Sequence, residues 1–348
     1  MTHRDGLTRR DLGLLAANLG VVSLAGSLMT LGRSARAQEA AKVTLGHFSS
    51  ANQQNFSKAT GSMQKAMGAK AQVEYVGVTT GPQVLTAMAG NSIDLCNVGS
   101  SPMVVAMSQG LPVSMVYVHK VIKDDESLIV RPDAGIRTVA DLKGKKIGCP
   151  FNSSAHFALL AAMRSANLTA ADVQLINLKP DAVLSAWQRK DIDGAYIWFP
   201  VAPKLLADGG TMIFNGSNLI PLGTVIFDAI VVRDEFKRQH PELVLAYLKE
   251  LNRINTLYRE HPEQMADVMA PFLQIERDMA LRVARTTYTI SPQEMLTETW
   301  MGAPGSKNSG VQKTLRDQAE FLKAADQIKA APSDFDKFID RSFVQKMV

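Results

Sequence analysis

The chain has 348 residues, 46% hydrophobic and 20% charged, with a net charge of +5. That length has room for two compact lobes with large cores. Five Arg and two Asp in residues 1–37 supply +3 of the charge, so a chain starting at Gln38 carries only +2, and composition gives no ground for nucleic-acid binding.

Residues 1–37 read as a cleaved signal. Thr8-Arg9-Arg10-Asp11-Leu12 opens an apolar run to Leu31, and Ala35-Arg36-Ala37 offers a small-x-small processing site near Ala37. The paired Arg resembles a twin-arginine signal, with Gly13 where such signals often carry a larger residue. Asn18 and several Gly in the run argue against a membrane anchor. No Cys stands at the cleavage site to carry a lipid, and no later apolar run is long enough to span a bilayer. A soluble, exported protein is expected, with periplasmic residence.

Val43 to Phe48 reads as a strand, followed by a polar run through Asn52 and a helix from Phe56 to Met67. Gln72 to Val78 alternates as a second strand, and Gly81-Pro82 starts a helix to Met88. Ile93 to Val98 is a short buried strand. Gly99-Ser100-Ser101-Pro102 then turns into a helix beginning near Pro102, because Pro at a first helical position forfeits no intrahelical bond. Val113 to Val118, Ser127 to Arg131 and Lys145 to Cys149 are further strands. Pro150-Phe151-Asn152-Ser153-Ser154 repeats the serine turn ahead of a helix from Ala155 to Ser165. Val173 to Leu178 is a strand, Ala182 to Arg189 a helix, and Ile192 to Trp198 a strand ending before Pro200. Strands alternating with helices imply an α/β fold with largely parallel sheets.

One unit occurs twice. Leu85 to Val98 runs helix, turn, Ile93-Asp94, strand; Leu184 to Trp198 runs helix, turn, Ile192-Asp193, strand. The strands Ser127 to Arg131 and Phe227 to Arg233 also resemble each other, both ending in Arg. They read as two hinge crossings between similar lobes, lobe I being 42–128 plus 229–348 and lobe II 129–228. After Arg233 the chain turns mostly helical, with long helices at Pro241 to Arg259, Pro262 to Phe272 and Val311 to Ile328 that should pack back on lobe I.

No catalytic constellation is visible: there is no Gly-x-Ser-x-Gly elbow, phosphate-cradling loop or Gly-x-Gly-x-x-Gly. No Cys/His spacing suggests a metal, no cofactor is implied, and Cys96 and Cys149 read as separate buried thiols. The candidate site is instead a cleft faced by helix starts from both lobes. Ser100 and Ser101 on one side, and Ser153 and Ser154 on the other, can donate to an oxyanion. Asp228, on a crossing strand, can hold a ligand cation. Trp198 can stack at the rim, and His156 can donate from the first turn after Ser154. Asp124-Asp125 and Asp234-Glu235 read as solvated loop or helix-start charges, and Trp187 as core.

These segments carry a family resemblance. Gly99-Ser100-Ser101-Pro102, Asp141-Leu142-Lys143-Gly144-Lys145-Lys146-Ile147, Pro150-Phe151 with His156, and Ala186-Trp187-Gln188-Arg189-Lys190-Asp191-Ile192-Asp193-Gly194-Ala195-Tyr196 resemble the taurine branch of the sulfonate, nitrate and bicarbonate binding family of bacterial ABC importers. The similarity runs from about Val43 to the end. It implies a type II periplasmic binding protein fold, two lobes around a ligand cleft, and a monomer that hands taurine or a related sulfonate to an ABC permease with its ATPase. It also implies that serines matching Ser100 and Ser101 contact the sulfonate and that an acid matching Asp228 holds the amine. The family usually carries a Glu where this chain has Asn52, which can accept a hydrogen bond but brings no charge. On that reading Asp228 is the one acid at the amine end. Rival readings are enzymes of pyrimidine and thiamine-precursor synthesis on the same fold, and effector-sensing modules of regulators; the chain shows neither a reactive Cys/His site nor a DNA-binding helix-turn-helix.

Overall fold

The computed structural model describes residues 40–348, so the signal-peptide reading, with Arg9-Arg10 and Ala37, lies outside the described residues. The first part of the chain runs β1 (Ala41–Phe48), α1 (Gln53–Thr60), α2 (Ser62–Met67), β2 (Ala71–Val78), α3 (Gly81–Ala89), β3 (Leu95–Gly99), α4 (Ser100–Ser108) and β4 (Val113–Ile122). The middle runs β5 (Glu126–Val130), β6 (Lys146–Cys149), α5 (Ser154–Ser165), β7 (Gln174–Asn177), α6 (Pro180–Gln188), β8 (Gly194–Trp198), α7 (Val201–Ala207) and β9 (Thr211–Asn215). The last part is β10 (Ile226–Arg233), α8 (Asp234–Gln239), α9 (Pro241–Glu260), α10 (Pro262–Leu273), α11 (Arg277–Thr286), α12 (Pro292–Met295), α13 (Gly310–Ala324) and α14 (Ser342–Gln345). Most expected elements stand where their patterns put them. The helix expected over Phe56 to Met67 is two, broken by Gly61 at φ 66°. β9 and α11 have no counterpart in the sequence reading.

Ten strands form two five-stranded sheets, ordered β2-β1-β3-β10-β4 and β7-β6-β8-β5-β9. In each, three parallel strands are followed by an antiparallel one, β10 in the first and β5 in the second. The two sheets are therefore built to one plan, and the repeated Ile-Asp unit shows how. The Asp94 carboxylate accepts from the Thr44 N–H of β1, and that of Asp193 accepts from the Lys146 N–H of β6, both at 2.8 Å. The Asp94 carbonyl accepts from the Arg233 N–H, and the Asp193 carbonyl from the Arg131 N–H. Each Asp ties the loop ahead of its strand to the sheet, satisfying backbone groups that would otherwise be buried unpaired. The likeness of the two Arg-ended strands has the same origin: each is the antiparallel strand of its sheet.

Neither strand itself crosses, however. β5 lies wholly in the second sheet and β10 wholly in the first; the chain passes between sheets over residues 123–125 and 223–225. The apolar core around the first sheet includes Leu45, Leu95, Met115, Ile230 and Tyr247, and takes in Leu315 and Leu322 of α13. A separate core around the second sheet includes Leu128, Ile147, Phe157 and Tyr196. Trp187 is buried, as its helical position predicts, and donates its indole N–H to Asp208 at 2.7 Å.

One helix joins the two halves. The Gln318 amide on α13 donates to the Ser100 hydroxyl at 2.9 Å and to the Val225 carbonyl at 3.4 Å, and its oxygen accepts from the Ser101 hydroxyl at 3.3 Å. One turn on, Phe321 packs edge-on against Phe157 of α5, with ring centroids 5.0 Å apart.

Candidate functional site

A cavity of about 340 Å³ opens between the two sheets. Its apolar wall includes Phe48, Trp198, Phe199, Leu206, Met212 and Met279, and a set of charged and polar side chains completes it: Lys120, Asp125, Glu126, Ser154 and Asp228. The starts of three helices reach it, through Gly81, Gly99 and the Ser153-Ser154 pair. Unpaired N–H groups at such ends favour an anion.

Space at this junction is tight enough to favour glycine. Gly99 has φ −61°, which any residue tolerates, but a Cβ there would lie 3.1 Å from the Ser154 hydroxyl oxygen and 3.2 Å from the Ser154 Cβ. Gly99 belongs to the first sheet and Ser154 to α5 over the second, so this contact is where the lobes touch. Gly99→Val should hold them apart: binding of the natural ligand is expected to fall by about tenfold or more, with folding retained, because overpacking of this size costs roughly 1–3 kcal/mol. Calorimetry and a melting curve check it; unchanged affinity would show that the contact is dispensable.

The structure brings Asn52, Ser153, Ser154, Trp198 and Asp228 into the cavity wall. Asn52 also caps α1, accepting from the Asn55 N–H at 2.9 Å. Ser153 caps α5, accepting from the His156 N–H at 3.2 Å. Ser100, Ser101 and His156 stand elsewhere. α4 begins at Ser100 with Gly99 as its cap, so the two serines lie in the helix and not ahead of Pro102, and their hydroxyls are spent on Gln318. The His156 ring stacks on Phe151, with centroids 4.4 Å apart, and burial pushes it down to about 4, so it is neutral.

The charged cluster was missed from sequence, and Asp125 corrects the solvated reading, whereas Asp124 is exposed as that reading has it. Asp125 is in contact with the Lys120 ammonium, while Asp124 accepts from Asn215 at 2.9 Å and Ser217 at 2.8 Å. Lys120 also lies 4.0 Å from Asp228, which accepts from Asn97 at 3.2 Å. Burial works against the charge on Lys120, but Asp125 and Asp228 hold it protonated. Burial raises the Asp228 carboxyl above its usual range, opposed by Lys120. Glu126 accepts from the Ser154 hydroxyl at 2.6 Å. Asp228 is thus one of three carboxylates beside a lysine, not a lone acid.

The register of β4 on β10 creates this cluster. Asp228 sits opposite Lys120 and Ala229 opposite Val118, so His119 is the extra residue of a bulge. Bulges re-aim side chains. His119 and Lys120 both reach the cavity wall, and His119 is fully buried with both ring nitrogens unpartnered, its pKa depressed to about 3 by burial and by Lys120. The only hint in the sequence is that the apolar run from Val113 resumes at Val121 after this polar pair. Cys96 and Cys149 are free buried thiols in different sheets, both away from the cavity wall. Among the described residues no His, Cys, Asp and Glu cluster is placed to hold a metal.

Two lobes of one plan with a cleft between them make up the two-lobe periplasmic binding protein fold. A family profile described as the substrate binding domain of an ABC-type glycine betaine transport system matches residues 41–285. The chain is 30% identical over 314 residues to the taurine-binding periplasmic protein of Escherichia coli (strain K12), covering 88% of this chain and 94% of that one. It belongs to this family of ABC-transporter substrate-binding proteins. Among solved structures, the alkanesulfonate-binding protein SsuA from Xanthomonas axonopodis pv. citri, bound to MOPS, superposes with a TM-score of 0.73 at 21% identity, over 88% of this chain and 100% of that one. The desulfurization enzyme DSZB shares the fold with a TM-score of 0.60 at 15% identity, over 88% of this chain and 98% of that one.

Proposed function

We propose that the protein captures a small organosulfonate, taurine or a close analogue, in the periplasm and delivers it to an ABC permease driven by its ATPase. The observation that carries this reading is the cleft itself. It joins anion-favouring helix starts to unspent carboxylate oxygens: Asp125 Oδ1 and Glu126 Oε2 have no hydrogen-bond partner. A primary ammonium supplies the N–H donors such oxygens need, whereas a quaternary ammonium such as betaine's has none. The likeness to a taurine-binding relative over nearly its whole length points the same way. An enzyme is the second reading, prompted by the fold shared with DSZB. Against it, neither cysteine reaches the cleft, and burial raises the pKa of both thiols far above its normal value.

A thermal-shift series decides between these ligands. Taurine at 100 times its Kd should stabilise the protein by about 2.7 kcal/mol, a shift of roughly 5 °C. Isethionate and short alkanesulfonates should give smaller shifts, and glycine betaine none. A shift with betaine and none with any sulfonate would overturn the proposal.

A further inference from the structure

We infer that Asn97 is a positioning residue for Asp228: it holds one oxygen of that carboxylate so that the other faces the cleft, and Gln54 behind it fixes which way the Asn97 amide points. This rests on the sulfonate reading above, with Asp228 at the ligand's cation, and deepens it. Asn97 is the one polar side chain in the strand Leu95-Cys96-Asn97-Val98-Gly99, and all five residues are buried. An amide is costly in such a place unless its hydrogen bonds are made. The antiparallel register sets Asn97 opposite Ile230 and Gly99 opposite Asp228, so Asn97 and Asp228 are diagonal neighbours on one face of the sheet. The Asn97 amide donates to Asp228 Oδ2 at 3.2 Å, and the Lys120 ammonium approaches the same oxygen at 4.0 Å. Asp228 Oδ1 has no donor among the described residues, and Asp228 borders the cavity.

An Asn side chain can turn either its amide N–H or its oxygen to a neighbour, and the oxygen would repel a carboxylate. Gln54, in the first turn of α1, removes the choice. Its amide donates to Asn97 Oδ1 and to the Tyr247 hydroxyl, both at 3.4 Å. Gln54 and Tyr247 are fully buried, so the row Tyr247, Gln54, Asn97, Asp228 carries orientation from the core of the first lobe to the cleft wall. The arrangement has a signature in pH. Burial raises the Asp228 carboxyl, Lys120 and the Asn97 hydrogen bond oppose it, and Asp125 adds to it. Glu126 on β5 and the Cys96 thiol on β3 also face this carboxyl. Loss of the Asn97 N–H therefore raises Asp228 further. A carboxyl must be ionised to hold an ammonium, so affinity for an amino-sulfonate should then fall as pH drops through the raised value and return above it. Isethionate brings no cation and should not respond.

The test is calorimetry with taurine and isethionate between pH 5 and pH 8, on the wild type, Asn97→Leu and Gln54→Met. Asn97→Leu should lower taurine affinity by about tenfold at pH 5 and by about threefold or less at pH 8, an upward shift of the pH profile by about one unit. Gln54→Met should show the same pH dependence in smaller measure, about threefold at pH 5, because Asn97 remains but is free to turn. Isethionate affinity should stay within about twofold of wild type in both variants. Gln54→Met leaves Asn97 in place, so the test stands even if Asn97→Leu does not fold. Equal losses for both ligands at every pH would mean that Asn97 only packs the sheet. A taurine loss of the same size at pH 5 and pH 8 would put Asn97 on the ligand itself and not behind Asp228. Any of these results, or unchanged taurine binding in both variants, overturns the assignment and leaves the sulfonate reading intact. Failure of the wild type to bind any sulfonate would instead sink that reading, and this assignment with it.

Discussion

Lys120→Met is expected to cost about 3–5 kcal/mol of stability at pH 8, and markedly less near pH 5, because it leaves buried acids without their shared cation. Lys120 touches Asp125 and lies 4.0 Å from Asp228, with side-chain exposures of 17%, 18% and 13% for the three residues. Without the lysine the two carboxylates repel each other in a poorly solvated wall. The sign of the pH effect follows from Asp228, whose carboxyl is already raised by burial and held down by Lys120. Removing Lys120 raises it further, so the folded state takes up protons that the unfolded state does not. Stability then rises as pH falls through that folded value. Urea unfolding of wild type and variant at both pH values checks this. A loss of the same size at both would mean that the lysine contributes through its packed stem and not its charge.

Gln318→Leu is the second large effect. The substitution nearly keeps the volume but removes the amide that serves the Ser100 and Ser101 hydroxyls and the Val225 carbonyl. All three residues Ser100, Ser101 and Gln318 are fully buried. Each polar group left unsatisfied there costs about 1–3 kcal/mol, so a total of roughly 2–4 kcal/mol is expected after partial relaxation. Ligand affinity should fall as well, since Gly99 at the cleft directly precedes the serines. Denaturant melts and calorimetry measure the two effects. Stability within 0.5 kcal/mol of wild type, about the scatter of a neutral surface change, would show that the serines find other partners.

The architecture was legible because it is written in local patterns. Alternation marks β1 and β2, and the repeated Ile-Asp unit reports a real repeat, since Asp94 and Asp193 make matching bonds to β1 and β6. Short edge strands escape such patterns: β9 is five residues at the margin of its sheet, directly after Gly209-Gly210. α11 carries so much charge that its apolar face, through Ala280 and Ala284, is easily overlooked.

The cleft was only partly legible. Ser153 and Ser154 reach it, whereas Ser100 and Ser101 do not, although both pairs look alike in sequence. Their difference is set by Gln318, more than 200 positions away. Likewise Lys120 and Asp228 meet only through an antiparallel register and a bulge. No local pattern announces a charge cluster assembled from two strands and a crossover.

Gln318 and Phe321 give any opening of the molecule a fixed pivot. α13 is rooted in the first core, grips the return crossover at Val225, and rests on Phe157 of the other lobe. Motion about that support is a lever: displacement grows with distance from it. Points beside the pivot should barely separate, whereas Arg282 on α11 and Leu206 on α7, which border the cavity and take no part in the α13 contacts, are free to part. Escape of a bound ligand is thus governed at the mouth and not at the waist. A pair of spin labels at Arg282 and Leu206 should broaden and shift on ligand removal, and a pair spanning α13 and α5 should stay put.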